Sequence, residues 1–130
     1  MRSVRAGIAL LALGIAMPSV AQAQLAVDES AIALDVIDRM PVGADSTFTA
    51  DVERVYFWTR ISGAPEGGTT IHHVWIHGDQ EMADLELNIG APSWRTWSNK
   101  AIMPDWTGDW RVEVRDDTGN VIETIRFTVR

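Results

Sequence analysis

The stretch that decides the fold is Thr70–His77, which reads TIHHVWIH and is followed by a glycine turn. Its aliphatic, aromatic and β-branched residues, ending at a glycine, are typical of a β-strand. Because side chains alternate between the two faces of a strand, Trp75 shares a face with His73 and His77, and His72 lies on the other face. The pattern predicts that Trp75 is a core anchor.

Three histidines within six residues raise the question of a metal site. Zinc holds nitrogen ligands at about 2.0–2.3 Å, so its ligands must converge on one point. His73 and His77 share a face but lie four positions apart, which is about 13 Å along a strand. We therefore expect no metal and no cofactor. His73 and His77 remain the candidates for a metal-binding alternative, and His73 is the histidine expected to have a specific role.

The remainder of the chain repeats the pattern of short alternating runs between turns. Six runs follow residue 50, at spacings of roughly 8–12 residues, the spacing of an all-β sandwich. Acidic residues and a glycine form the hairpin turn DDTGN at 116–120. With a first strand before residue 50, the sequence predicts an all-β protein, an immunoglobulin-like antiparallel β-sandwich of about seven strands. Its expected core anchors are Trp75, Trp110 and Phe127.

The segment 30–42, SAIALDVIDRMPV, fits two kinds of secondary structure. Ile32, Leu34 and Val36 alternate as in a strand, whereas Ile32, Val36 and Met40 also fit a helical period. Pro41 and the all-β neighbours favour a first strand. The choice between strand and helix for residues 31–42 is left open by the sequence.

The N-terminus has the pattern of a secretory signal peptide. Arg2 and Arg5 precede the apolar run Gly7–Met17, and Ala21-Gln22-Ala23 is an A-x-A cleavage site. The run is too short to span a bilayer of about 30 Å as a helix. Residues 1–23 are thus interpreted as a signal peptide and residues 24–130 as a single β-sandwich domain, periplasmic or secreted, with no membrane insertion after cleavage.

Composition excludes several kinds of function. The chain has no cysteine, so thiol chemistry and disulfides are absent. Without Arg2 and Arg5 it has nine basic and eighteen acidic residues, a net charge of −9 that repels nucleic acid. No G-x-S-x-G, no Gly-rich phosphate loop and no H-E-x-x-H motif occurs. We expect a protein that is not an enzyme.

The stretch 93–100, SWRTWSNK, contains the candidates for a binding face. Alternation places Arg95 and Trp97 on one face, where the arginine could stack on the indole or pair with a carboxylate such as Glu113. Exposed tryptophans beside hydrogen-bond donors suit a sugar ring or an extended peptide. The candidate binding face comprises His73, Arg95, Trp97, Lys100 and Trp106.

Several motifs together resemble a bacterial family called domain of unknown function 2914. They are an aromatic strand at 57–58, H-x-W and a glycine at 73–78, I-G-x-x-x-W-R-T-W-S-x-K at 89–100, and a W-x-G-x-W-R-V-x-V hairpin at 106–114. The resemblance runs from near Val52 to the end of the chain. It implies a compact β domain of the cell envelope and carries no catalytic activity with it.

Three functions follow as hypotheses. The first is a non-catalytic cell-envelope domain in protein interaction or as a structural module. The second is a carbohydrate-binding module that uses an exposed Trp/Arg face, with an envelope polysaccharide as its ligand. The third is a metal-binding protein centred on His73 and His77. The sequence does not give the partner or the oligomeric state.

The signal-peptide interpretation makes a direct prediction. When the full chain is expressed with its natural N-terminus in a bacterium, we expect the exported protein to begin at Gln24. N-terminal sequencing and intact mass of the periplasmic and secreted fractions measure this. A chain that keeps residues 1–23 and stays in the cytoplasm would contradict the interpretation.

Overall fold

The computed structural model describes residue 14 and residues 24–130, and the predicted signal peptide lies otherwise outside the described residues. Residues 24–130 form ten strands and no helix, which confirms the all-β prediction. The strands are β1 (Ala26–Ala33), β2 (Asp35–Ile37), β3 (Met40–Val42), β4 (Thr47–Phe48), β5 (Arg54–Ser62), β6 (Thr69–His77), β7 (Gln80–Ile89), β8 (Ser93–Ala101), β9 (Gly108–Arg115) and β10 (Val121–Val129).

The number of strands differs from the predicted number of about seven. Seven strands have eight or more residues, and β2, β3 and β4 have only two or three. The short strands account for the difference, because runs of two or three residues give no period that a sequence can reveal. The segment 31–42 is extended as favoured, but it is divided between the end of β1 and a separate β2–β3 hairpin.

The long strands form two sheets. Sheet I has the order β1-β5-β8 and is antiparallel throughout. Sheet II has the order β4-β10-β9-β6-β7, antiparallel except for the two-residue parallel pair of β4 with β10. The chain passes from sheet I to sheet II between β5 and β6, returns to sheet I between β7 and β8, and passes again to sheet II between β8 and β9.

The core lies between the facing surfaces of the two sheets. Alternate residues of β9, Trp110, Val112 and Val114, are buried, as the period of DWRVEVR requires. An aromatic contact connects the sheets, because Trp75 of β6 meets Phe57 of β5 edge to face at 6.5 Å. Within sheet II, Trp75 also meets Phe127 of β10 at 6.1 Å. These rings supply the apolar area that a small domain without disulfides needs.

The β2–β3 hairpin covers part of the outer face of sheet I. Its two turn residues, Asp38 and Arg39, have positive φ angles of 52° and 63°, the conformation that tight two-residue hairpins favour. The indole Nε1–H of Trp58 donates a hydrogen bond of 2.9 Å to the carbonyl oxygen of Arg39. Trp58 therefore points away from the core and is nonetheless buried.

Within the described residues, no helix is long and apolar enough to cross a membrane.

Candidate functional site

The five candidates for the binding face lie in three separate places. His73 is 0% exposed and lies in the core between the sheets. Arg95 and Trp97 lie on the outer face of sheet I, opposite Arg60 and Trp58 of β5. Lys100 and Trp106 pack against each other, and Trp106 contacts the core cluster. Periodicity assigns a residue to one side of its strand, but it does not say which sides of different strands meet.

His73 is the centre of a buried hydrogen-bond network that joins the two sheets. Its Nδ1 lies 2.7 Å from the hydroxyl of Ser98 on β8, and its Nε2 lies 3.3 Å from the hydroxyl of Thr59 on β5. The Ser98 hydroxyl also accepts a hydrogen bond of 3.1 Å from Nε1–H of Trp75. The Thr59 hydroxyl donates to the backbone oxygen of Thr96 at 2.9 Å.

The positions of the protons follow from this geometry. Thr59 has one hydroxyl proton and gives it to Thr96, so Nε2 of His73 must carry a hydrogen and donate it to Thr59. A neutral imidazole has only one N–H, so Nδ1 accepts the Ser98 hydroxyl proton. The hydroxyl of Ser98 in turn accepts from Trp75. Every polar group of the network thus has a partner while the histidine is neutral.

Burial explains why the neutral form is kept. Desolvation lowers the pKa of His73 to about 3, because the interior disfavours the charged imidazolium. Since both ring nitrogens already have protein partners, neither offers a lone pair to a metal. His73 therefore acts as a structural group that positions Thr59, Trp75 and Ser98.

The other two histidines have their own partners. His72, on the opposite face of β6, places Nδ1 at 2.6 Å from the Asp84 carboxylate. His77 donates from Nε2 to the carbonyl oxygen of Thr107 at 2.7 Å and stacks on Trp110 with ring centroids 4.6 Å apart. Residues 24–130 contain no group of three or more His, Cys, Asp or Glu side chains that could hold a metal ion.

The pair of Lys100 and Trp106 is a local structural contact. The Lys100 ammonium lies 5.1 Å from the ring centroid of Trp106, within the range of a cation–π interaction. The carbonyl oxygen of Trp106 accepts a hydrogen bond from Nε1–H of Trp110 at 2.9 Å. This arrangement ties the 102–107 loop to β8 and β9.

The outer face of sheet I is organised in cross-strand rows. One row contains Glu29, Arg60 and Arg95, and the Glu29 carboxylate pairs with the Arg60 guanidinium at 3.0 Å. The neighbouring row places Trp97 beside the buried Trp58. Two rows with charged and aromatic side chains therefore end at β8.

Of the two alternatives for Arg95, the pairing with Glu113 does not occur. Glu113 belongs to sheet II and pairs instead with Arg115 at 2.8 Å. The Arg95 guanidinium lies 3.4 Å from the sulfur of Met40 on the β2–β3 hairpin. The hairpin and β8 thus enclose a surface groove of about 370 Å³, lined by Arg39, Ala91, Ser93, Trp94, Arg95 and Trp97.

The sequence analysis missed the contribution of the hairpin. Four of its large apolar side chains are exposed, namely Leu34, Ile37, Met40 and Val42, and so is Trp94 at the groove, with 40% of its surface accessible. The signal in the sequence is the run IALDVIDRMPV, which has apolar residues on both sides of a short alternating segment. Such a segment cannot bury both sides against one sheet. Residues 34–42 and the groove together form one surface, the hairpin surface.

Comparison with known proteins identifies the family of this segment of the chain. Residues 68–129 match the family described as Protein of unknown function (DUF2914). Residues 68–129 belong to that family. The match confirms the resemblance noted in the sequence, over a shorter range, since Val52–Gly67 lies outside it. No curated protein matches the chain.

Solved structures show similarity of fold alone. The alkylpurine DNA glycosylase AlkC of Pseudomonas fluorescens, bound to DNA with an abasic site analogue, aligns with a TM-score of 0.52 and 12% identity, over 85% of this chain and 31% of that one. A GH3 β-glucosidase from Bifidobacterium adolescentis gives 0.45 and 8%, over 82% of this chain and 17% of that one. A β-glucosidase from Listeria innocua gives 0.46 and 10%, over 82% and 16%. The chain thus spans less than a third of each of these proteins.

The DUF2914 segment contributes through β8 to both the buried network and the outer rows, although Thr59 and the row residues of β1 and β5 lie outside residues 68–129. Its W-R-T-W-S-x-K run lies within the nine-residue strand β8, whose alternate residues face in opposite directions. Ser98 and the backbone of Thr96 face inward to the network, and Arg95 and Trp97 face outward to the groove. The same nine residues therefore tie the sheets together and form one wall of the groove.

The network predicts a specific loss of stability for Ser98→Ala. This substitution leaves both Nδ1 of His73 and Nε1–H of Trp75 buried without a partner, at a cost of about 1–3 kcal/mol for each unsatisfied group. We expect the free energy of unfolding in urea to fall by about 2–5 kcal/mol. Ser93→Ala, on the exposed start of the same strand, is the matched control and should change it by less than about 0.5 kcal/mol. Equal effects of the two substitutions would contradict the network.

Proposed function

We propose that this chain is a non-catalytic, exported domain of the cell envelope that binds a partner protein through the hairpin surface. The observation that carries the proposal is the clustering of exposed apolar side chains there. Of the seven large apolar side chains exposed in residues 24–130, five lie on the hairpin or at the groove, and only Met103 and Val121 lie elsewhere.

A clustered apolar surface has a different meaning from scattered exposed residues. Single exposed apolar side chains are normal in soluble proteins, whereas a contiguous patch marks an interaction site. The hairpin surface also has the composition of an interface centre, since it combines Met40 and Trp94 with two arginines, Arg39 and Arg95. A structural module without a partner would leave this apolar surface in contact with water, so the patch favours a domain that binds a partner.

The proposal includes an immunoglobulin-like arrangement. The seven long strands, taken in chain order, form the sets first-second-fifth and seventh-sixth-third-fourth, which are β1-β5-β8 and β10-β9-β6-β7. In the constant-type immunoglobulin sandwich the first, second and fifth strands pair likewise, as do the third, sixth and seventh. The difference is β7, the fourth long strand, which joins the third strand instead of the fifth. Because a fold does not by itself give a function, the proposed binding rests on the hairpin surface and not on this architecture.

Export and the absence of catalysis are supported by the sequence. The signal-peptide pattern at residues 1–23 supports a periplasmic or secreted location. The sequence contains no G-x-S-x-G, no Gly-rich phosphate loop and no H-E-x-x-H, so no motif indicates an enzyme. The AlkC structure contains DNA, but the net charge of −9 after signal cleavage disfavours a nucleic-acid ligand for this chain.

A carbohydrate is the second candidate ligand. Trp94 and Trp97 both line the groove beside Arg39 and Arg95, and indole rings with nearby guanidinium donors suit a sugar ring. In that case titration with envelope polysaccharide should change tryptophan fluorescence. A titration that leaves the fluorescence unchanged would contradict this alternative.

The test of the proposed function uses the exported protein, immobilised and exposed to envelope extract of its host. The variant Ile37→Ser with Met40→Ser removes two apolar side chains from the hairpin surface. The matched control, Met103→Ser with Val121→Ser, removes two from elsewhere. We expect a partner protein to be retained by the wild type and the control, and to bind the hairpin variant at least about tenfold more weakly, which is about 1.4 kcal/mol.

Two outcomes would contradict the proposal. One is a protein that binds the hairpin variant as strongly as it binds the wild type, because the surface would then lie elsewhere. The other is the absence of any reproducible partner at extract concentrations that saturate the support. Circular dichroism of each variant checks that the sheets are intact.

A further inference from the structure

Strand β8 is an unpaired edge of sheet I among the described residues. It pairs with β5 through nine consecutive residues without a register shift, and it has no second neighbour in the sheet order β1-β5-β8. An edge strand presents a row of backbone N–H and C=O groups to which another extended chain can add.

The other edges of the two sheets are short or interrupted, whereas β8 is long and regular. The ladder of β1 is interrupted by a register shift between Val27 and Glu29, and the ladder between β6 and β7 has a shift at Trp75. Strand β4 has only two residues. The edge strands β1 and β7 both contain acidic residues, whereas β8, SWRTWSNKA, has none and contains Arg95 and Lys100. Bulges and short strands are known means of preventing edge pairing.

The charges of the outer face are unbalanced at β8. In the row Glu29–Arg60–Arg95, Glu29 compensates Arg60, and two arginines stand directly opposite each other on β5 and β8. The ion pairs between arginines and carboxylates of residues 24–130 involve Arg60 and Arg115, and none reaches Arg95 or Arg39. Like charges opposite each other are unfavourable in a sheet. A carboxylate on the next strand would complete the row.

The neighbouring row defines a second preference. Trp97 lies two positions from Arg95 on the same face, with the buried Trp58 behind it. A side chain on an added strand would lie about 4.5–5.5 Å, between Cβ atoms, from the β8 residue opposite it. An apolar residue opposite Trp97 would therefore cover the part of the indole that is now accessible.

We propose that β8 is the docking strand for an extended acidic segment of the partner protein. The segment adds to sheet I as a fourth strand, places an aspartate or glutamate opposite Arg95, and places an apolar residue two positions away opposite Trp97. Arg39 lines the same groove, and its guanidinium can bind a second carboxylate of the segment. This inference rests on the proposed function and specifies the chemistry of its partner.

A second copy of the chain fits this edge poorly. If β8 paired with β8 of another copy, no aspartate or glutamate would be available opposite Arg95, because β8 contains neither. In the register that centres on Arg95, the two arginines would face each other. Charge complementarity therefore favours an acidic segment of a different protein.

The experiment measures binding of labelled peptides of about ten residues to the exported protein by fluorescence anisotropy. The first peptide is rich in threonine and serine and contains one aspartate with a leucine two positions before it and another two positions after it, so that it can pair with β8 in either direction. The second has lysine in place of the aspartate, and the third is the first peptide with N-methyl groups on its pairing edge. The protein variants are Arg95→Glu and the control Arg126→Glu, which replaces an exposed arginine on β10 of sheet II.

We expect the aspartate peptide to bind the wild type and Arg126→Glu equally, and Arg95→Glu at least about tenfold more weakly. The lysine peptide should prefer Arg95→Glu, and N-methylation should abolish binding, since strand addition needs backbone hydrogen bonds. Amide hydrogen exchange on binding should slow in β8 and remain unchanged in β1 and β7.

The results that would contradict docking on β8 differ from those that would contradict binding through the hairpin surface. Equal binding of the aspartate and lysine peptides, full binding of the N-methylated peptide, or dimerisation through β8 in sedimentation would each overturn this inference. If an envelope protein binds through Ile37 and Met40 while no acidic peptide binds β8, the proposed function stands and the docking strand is wrong.

Discussion

The structure depends on a neutral histidine whose hydrogen bonds fix the position of one sheet relative to the other. His73 connects β6 of sheet II to β5 and β8 of sheet I through Thr59 and Ser98. A single net hydrogen bond contributes only about 0.5–1.5 kcal/mol, but a buried group left without its partner costs about 1–3 kcal/mol. A shift of either sheet would leave several such groups unpaired, so the network selects one arrangement of the sandwich among those that bury similar apolar area.

The buried network also determines which side chains of β8 lie on the outer face of sheet I. Because the side-chain period of a strand is two, a slip of β8 by one residue would turn Ser98 outward and Arg95 inward. The bonds of Ser98 to His73 and Trp75 prevent that slip. They thereby fix Arg95 and Trp97 on the outer face, beside the hairpin. The core chemistry and the proposed binding surface are two sides of one strand.

Alternation in the sequence predicted which residues share a face, but not which faces meet. The pattern of TIHHVWIH separates His72 from His73, and the two residues do lie on opposite sides of β6. The contact of Arg95 with Glu113 does not form because the two strands belong to different sheets. The cover over Trp58 depends on the Arg39 carbonyl, nineteen residues away, in a hairpin too short to have a clear period. Contacts of this kind come from tertiary packing, on which a local pattern carries no information.

The central claim is that His73 is neutral with its proton on Nε2, and NMR of the imidazole nitrogens tests it most directly. The unfolded chain takes up a proton near pH 6.5, whereas the folded chain does so only near 3. Stability is therefore unaffected by His73 above about pH 6.5 and falls by about 1.4 kcal/mol per pH unit below it. The account predicts a protonated Nε2, a bare Nδ1 and no titration of His73 from about pH 8 to about pH 4. A proton on Nδ1, or titration near pH 6.5, would contradict it.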